Sequence, residues 1–99
     1  MASVEWHEFE PETLRLAREQ HRPIVLVLTV PWCNHCSQLR ATTLEDPRVQ
    51  RALQTGFLAV HCDAERRPDV NERYGTGAWP TIAWVSGEGE LIRHEPFLT

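Results

Sequence analysis

Ile24-Val-Leu-Val-Leu-Thr-Val30 runs directly into Pro31-Trp32-Cys33-Asn34-His35-Cys36. The first seven residues are apolar without alternation and rich in β-branched side chains, the pattern of a strand covered on both faces. The sequence therefore predicts a central strand over 24–30, ended by Pro31-Trp32. From Cys33 the stretch CNHCSQLRATTL holds no Gly or Pro, which predicts a helix to Leu44 with the first cysteine at its start.

Upstream, Pro11 stands where a helix begins without losing a hydrogen bond, and Leu14, Ala17 and His21 follow at helical spacing until Pro23 forbids continuation. A helix over 11–20 follows. Downstream, Asp46-Pro47 is an N-cap with Pro at the first helical position; Val49, Ala52 and Leu53 supply an apolar face, and Gly56 ends that helix. Phe57 to Cys62 reads as a second buried strand, and Pro68 to Tyr74 as a short helix stopped by Gly75. Thr81–Val85 and Glu90–His94 are strands joined through Ser86-Gly-Glu-Gly89, a linker short enough for an antiparallel hairpin. The order predicts one α/β domain over 1–99, a three-layer mixed sheet with helices on both faces. Its first two strands are parallel and joined by right-handed crossovers. The last five residues are too few for a helix over the face that the hairpin leaves open, so that face is expected to meet a partner if the domain is not trimmed.

Ninety-nine residues suit a single core, which takes roughly 100 residues to build. Fourteen acidic residues against ten basic ones, all Arg, give a net charge of -4, too weak a field to hold polyphosphate. Nucleic acid is not an expected partner. The longest unbroken apolar stretch, Ile24–Leu28, falls far below the roughly 20 residues of a membrane helix, and no charged-then-apolar leader precedes it. The expectation is a cytoplasmic monomer without membrane contact. Three cysteines, Cys33, Cys36 and Cys62, cannot make a paired disulfide framework, so the C-x-x-C points to redox chemistry or to metal.

Residues three apart on a helix share a face, with β-carbons about 5–6 Å apart, so Cys33 and Cys36 can bond with little backbone movement. A bond closing so short a loop removes little entropy from the unfolded chain, which argues for reactivity rather than stapling. At the helix start, unpaired backbone N–H groups and the dipole stabilise the Cys33 thiolate, making it the candidate nucleophile. Cys36, one turn further in, is the resolving thiol. His35, protonated, favours the thiolate further and makes the pair more oxidising. Zinc needs four ligands, and only His35, His61 and Cys62 are at hand to complete such a site; the last two point to opposite faces of one strand. No metal or other cofactor is therefore expected. Cys62 reads as a small buried apolar side chain. The remaining histidines, His7, His21, His61 and His94, read as surface or packing residues, and Trp6, Trp32 and Trp84 as packing residues. Asp63-Ala-Glu-Arg-Arg-Pro-Asp69 reads as a capped turn into the following helix.

Trp32-Cys-Asn-His-Cys36, together with Tyr74-Gly-Thr-Gly-Ala-Trp-Pro-Thr81, resembles the thioredoxin superfamily. The resemblance implies a thioredoxin fold, here without the usual C-terminal helix, and thiol-disulfide exchange at Cys33 and Cys36. It implies a cis bond at Pro80, with Trp32, Trp79 and Pro80 forming the substrate-facing surface and the Trp79 backbone free to pair with an extended substrate. Trp6, Arg22-Pro-Ile-Val, Leu44-Glu-Asp, Asp63-Ala-Glu-Arg-Arg-Pro-Asp-Val70 and Thr76-Gly-Ala-Trp-Pro80 extend the likeness to the thioredoxin-like domain of the spermatogenesis-associated-protein group and related bacterial proteins. In that group the domain can open a much longer chain. Thioredoxins carry a buried acid six positions before the first cysteine, where this sequence has Val27, and Gly-Pro between the cysteines, where it has Asn34-His35. The dipeptide leans toward a more oxidising or isomerising pair, as in disulfide isomerases. Expected partners are disulfide-containing or dithiol proteins and small thiols. Other classes left open by the residues are a non-catalytic binding module within a larger protein and a metal-binding module.

Overall fold

The computed structural model describes residues 5–32, 46–76, 79 and 81–95. In chain order these form α1 (Pro11–Gln20), β1 (Ile24–Thr29), α2 (Pro47–Thr55), β2 (Leu58–Asp63), α3 (Pro68–Tyr74), β3 (Thr81–Val85) and β4 (Leu91–Glu95). The helix expected over 33–44, the cysteine pair, His35 and Pro80 lie outside the described residues.

β1 is buried along its whole length, as its unbroken apolar run requires, and occupies an inner place in the strand order β2-β1-β3-β4. Its register with β2 is parallel, from Ile24 opposite Leu58 to Thr29 opposite Asp63. β3 lies antiparallel on the other side, and β4 antiparallel to β3, with a bulge beside Trp84 and Val85. Two parallel strands need a long crossover, and the hairpin connection suits the antiparallel pair. The register also explains why β2 begins at Leu58 rather than Phe57. Phe57 instead packs its half-buried ring on Trp84, with centroids 4.6 Å apart.

Alternate residues of β1 serve opposite faces. Ile24, Leu26 and Leu28 join Leu58, Val60 and Cys62 of β2 and Ala83 and Val85 of β3 in the main core, closed by Ala17 of α1 and by Val70 and Tyr74 of α3. Val25 and Ala59 belong to a second cluster with Phe57, Ile82 and Trp84. Burial raises the Cys62 thiol above its ordinary pKa, which keeps it protonated at neutral pH.

The helix ends follow local chemistry. Pro11, Pro47 and Pro68 each open a helix, since the N–H that proline lacks has no intrahelical partner there. Gly75 ends α3: its N–H completes the last helical bond, to the Asn71 carbonyl at 2.7 Å, its backbone then turns extended at φ −76° and ψ 158°, and any side chain at 75 would run into Asn71. His21, the residue after α1, takes the left-handed region, at φ 55° and ψ 42°. The N–H groups of His21 and Arg22 close back on the carbonyls of Arg18 and Ala17 at 3.3 and 3.0 Å. With Pro23 ahead, the chain must reverse before β1, and a non-glycine residue accepts the strain of doing so.

Tyr74 ties α3 to the hairpin. Its ring is buried, its hydroxyl donates to the carbonyl of Gly89, and its own carbonyl meets His94 Nε2 at 2.7 Å. Replacing Tyr74 with Phe leaves the Gly89 carbonyl without that donor, and the expected loss is about 1–2 kcal/mol. A denaturation midpoint measured in urea, at unchanged slope, checks it.

Candidate active site

β1 and β2 run parallel, so both end at the same edge of the sheet, the edge at which antiparallel β3 begins. Ligands of open α/β sheets collect outside the carboxyl ends of such strands. Three chain segments meet there. The first is the exit from β1, where Val30 remains buried and Pro31 and Trp32 emerge. The second is the turn after β2, held alongside because the Ala64 N–H continues the ladder to the Thr29 carbonyl at 2.8 Å. The third is Trp79, which enters β3 and packs on a cluster formed by Val30 and Ala64.

The turn after β2 is wound on Asp63. Its side-chain Oδ1 accepts the Glu65 N–H at 2.9 Å, and its carbonyl accepts the N–H groups of Arg66 and Arg67 at 3.1 and 3.0 Å. This is the turn chemistry that Asp supports. Arg67 then bonds the Phe9 carbonyl at 2.8 Å and pairs with Asp69, which fastens the turn to the segment ahead of α1. The pairing also holds the Asp69 carboxyl below its ordinary range, chiefly through the hydrogen bond from Arg67.

Trp32 departs from the packing role that its size suggests. It is 67% exposed, and its indole N–H donates to Glu65 Oε2 at 2.7 Å. The residue immediately before Cys33 is therefore anchored to the turn after β2. Trp6, also read as a packing residue, is 37% exposed and meets His61 edge-on at 6.3 Å; Trp84 does pack, against Phe57. Trp32 and Trp79 come to one end of the sheet. Glu65 was missed in the sequence, where its loop read only as a turn. An acid two residues beyond a strand end carries no signal of its partner until the parallel pairing is known.

Behind this edge the side chains are apolar or weakly polar. Val27 is 2% exposed, between His61 on β2 and Ile82 on β3, so an aliphatic group fills the position where the resemblance anticipates an acid. Thr29, also buried, hydrogen-bonds His61 Nε2 at 2.7 Å. Cys62 points away from His61 into the main core, its Sγ 3.9 Å from the Asp63 carbonyl. Desolvation dominates its raised pKa, and a protonated, buried thiol is a poor nucleophile. Thr81, buried opposite Leu28, lies with its hydroxyl 3.3 Å from that of Thr76, which joins the two sides of the segment that carries Trp79.

Comparison with known proteins agrees with this architecture. A family model described as "Thioredox_DsbH: Protein of unknown function, DUF255" matches residues 1–98. Spermatogenesis-associated protein 20 of Homo sapiens is 29% identical over 91 residues, covering 84% of this chain; the matched part is 12% of that protein's length. Among solved structures, a DsbH oxidoreductase superposes with a TM-score of 0.87 at 18% identity, over 98% of this chain and 75% of its own. A thioredoxin from Thermus thermophilus superposes with a TM-score of 0.81 at 25% identity, over 97% of this chain and 77% of its own. The strand order and the helices around it are those of a thioredoxin fold, the α/β fold of thiol-disulfide oxidoreductases. Matched along nearly its whole length, the chain belongs to the Thioredox_DsbH family.

Proposed function

We propose that this domain is a thiol-disulfide oxidoreductase whose redox pair is Cys33 and Cys36. The observation that supports it most is the anchoring of Trp32: the residue joined to Cys33 is held at the sheet edge that Trp79 also reaches. The C-x-x-C spacing supplies two thiols at the point where β1 has just left the core. Cys62 is buried and protonated, which leaves the exchange to the other two.

In the reducing direction the Cys33 thiolate attacks one sulfur of a substrate disulfide. That S–S bond breaks, a mixed disulfide forms, and the departing thiolate takes a proton. Cys36, once deprotonated, attacks the Cys33 sulfur and releases the second substrate thiol, so two electrons pass to the substrate and the pair becomes a disulfide. A dithiol protein or a small thiol returns the pair to its reduced form, and the same steps in reverse oxidise a dithiol substrate. Trp32, Trp79 and Pro80 would face the substrate. His35, between the cysteines, tunes the nucleophile: its positive charge stabilises the Cys33 thiolate, hence the reduced pair, and shifts the balance toward oxidation or isomerisation.

Three outcomes are expected. In an insulin reduction assay driven by dithiothreitol, Cys33→Ser falls to the rate of dithiothreitol alone, and Cys36→Ser accumulates mixed disulfides visible as added mass without reductant; equal rates for wild type and Cys33→Ser end the catalytic reading. Cys62→Ala keeps wild-type turnover, and Cys62 of the folded protein resists alkylation that Cys33 undergoes at neutral pH. His35→Ala raises the Cys33 pKa and makes the pair less oxidising against a glutathione buffer, followed by thiolate absorbance as pH is varied; an unchanged curve reduces His35 to a linker.

A further inference from the structure

A backbone segment pairs well with an extended peptide when it is already in place, because ordering it at the moment of binding lowers affinity. Trp79 stands between α3 and β3, and the structure fixes both ends of that stretch. The entry is held by Tyr74, whose hydroxyl donates to the Gly89 carbonyl and whose own carbonyl meets His94 of β4 at 2.7 Å. The exit is β3 itself, whose first residue, Thr81, is buried opposite Leu28. Between them the Trp79 ring packs on Val30 and Ala64.

One contact joins entry to exit. The hydroxyls of Thr76 and Thr81, five positions apart in the chain, lie 3.3 Å from one another. Thr81 is fixed by the sheet, whereas Thr76 is exposed, so the pair places Thr76 rather than Thr81. Water would satisfy an exposed hydroxyl equally well, and the exchange adds little to folding stability; what the protein partner supplies is a fixed position. We propose that Thr76 is a positioning residue for thiol-disulfide exchange, its hydroxyl closing the base of the Trp79 stretch on Thr81 so that the Trp79 backbone is set in advance for an extended peptide flanking the substrate disulfide. The inference rests on the exchange reading given above and adds to it a substrate class: disulfides carried on peptide, favoured over small disulfides that have no backbone to pair. The effect falls on KM for peptide, because the sulfur chemistry does not use the hydroxyl pair.

The test measures kcat and KM for reduction of a disulfide-bonded peptide by the whole domain, with kcat/KM for hydroxyethyl disulfide, which has no peptide flanks, alongside. Thr76→Val, of nearly the same shape, is expected to raise KM for the peptide about twofold to fivefold, as loss of one long, neutral hydrogen bond implies. Its kcat for the peptide and its rate with hydroxyethyl disulfide stay at wild type. Thr76→Ser, which keeps the hydroxyl, restores the wild-type KM. In a Thr81→Val background, checked for folding by circular dichroism, Thr76→Val changes nothing further. A wild-type peptide KM in Thr76→Val, an unrestored KM in Thr76→Ser, or an equal loss with hydroxyethyl disulfide overturns the role of Thr76 and leaves the exchange reading standing. A wild-type domain that turns over neither disulfide overturns both.

Discussion

The parallel pairing of β1 with β2 is the constraint on which the rest of the molecule depends. It covers one edge of β1, sets the register from Ile24–Leu58 to Thr29–Asp63, and delivers two carboxyl ends to one end of the sheet. One further backbone bond, from Ala64 to Thr29, keeps the chains together after the strands have ended. Without it the turn that carries Glu65 would be free to leave the exit of β1, and Trp32 would lose its anchor. A period of two makes such a register unforgiving: a slip of one residue would turn the aliphatic row Ile24, Leu26 and Leu28 to the wrong side.

Much of the fold was legible because its signals are local. The bounds of α1, α3 and β3 follow from Pro11, Pro68, Gly75 and the apolar run after Pro80 as read from the sequence. β2 and β4 start one residue later than the sequence suggests. For β2 the cause is pairing: Leu58, not Phe57, stands opposite Ile24. Hydrophobicity marks Phe57 as strand-like, and only the register with β1 excludes it. The end of α1 at Gln20 also agrees with the reading, and the need to reverse the chain before Pro23 sets the His21 backbone that follows.

The cysteine pair, the helix start at Cys33 and Pro80, read from the motif and the resemblance, lie outside the described residues; what the described residues add is the support around them, which the sequence did not reveal. Trp32 was read from its size, which speaks for burial. Its exposure is balanced by a partner 33 positions away, and no periodicity links positions 32 and 65. Cys62, by contrast, was read correctly as a small apolar side chain, because an apolar strand segment around it already implies burial.

The edge at which Trp32, Glu65 and Trp79 meet draws on three stretches of chain that come together only in the folded sheet. A short peptide copied from residues 31–36 would carry both thiols but neither the braced turn nor the ring seated on Val30 and Ala64. It would react as an ordinary dithiol. On the proposed function, discrimination among substrates would thus be a property of the assembled sheet, and moving the cysteine pair to another scaffold would require the turn after β2 as well.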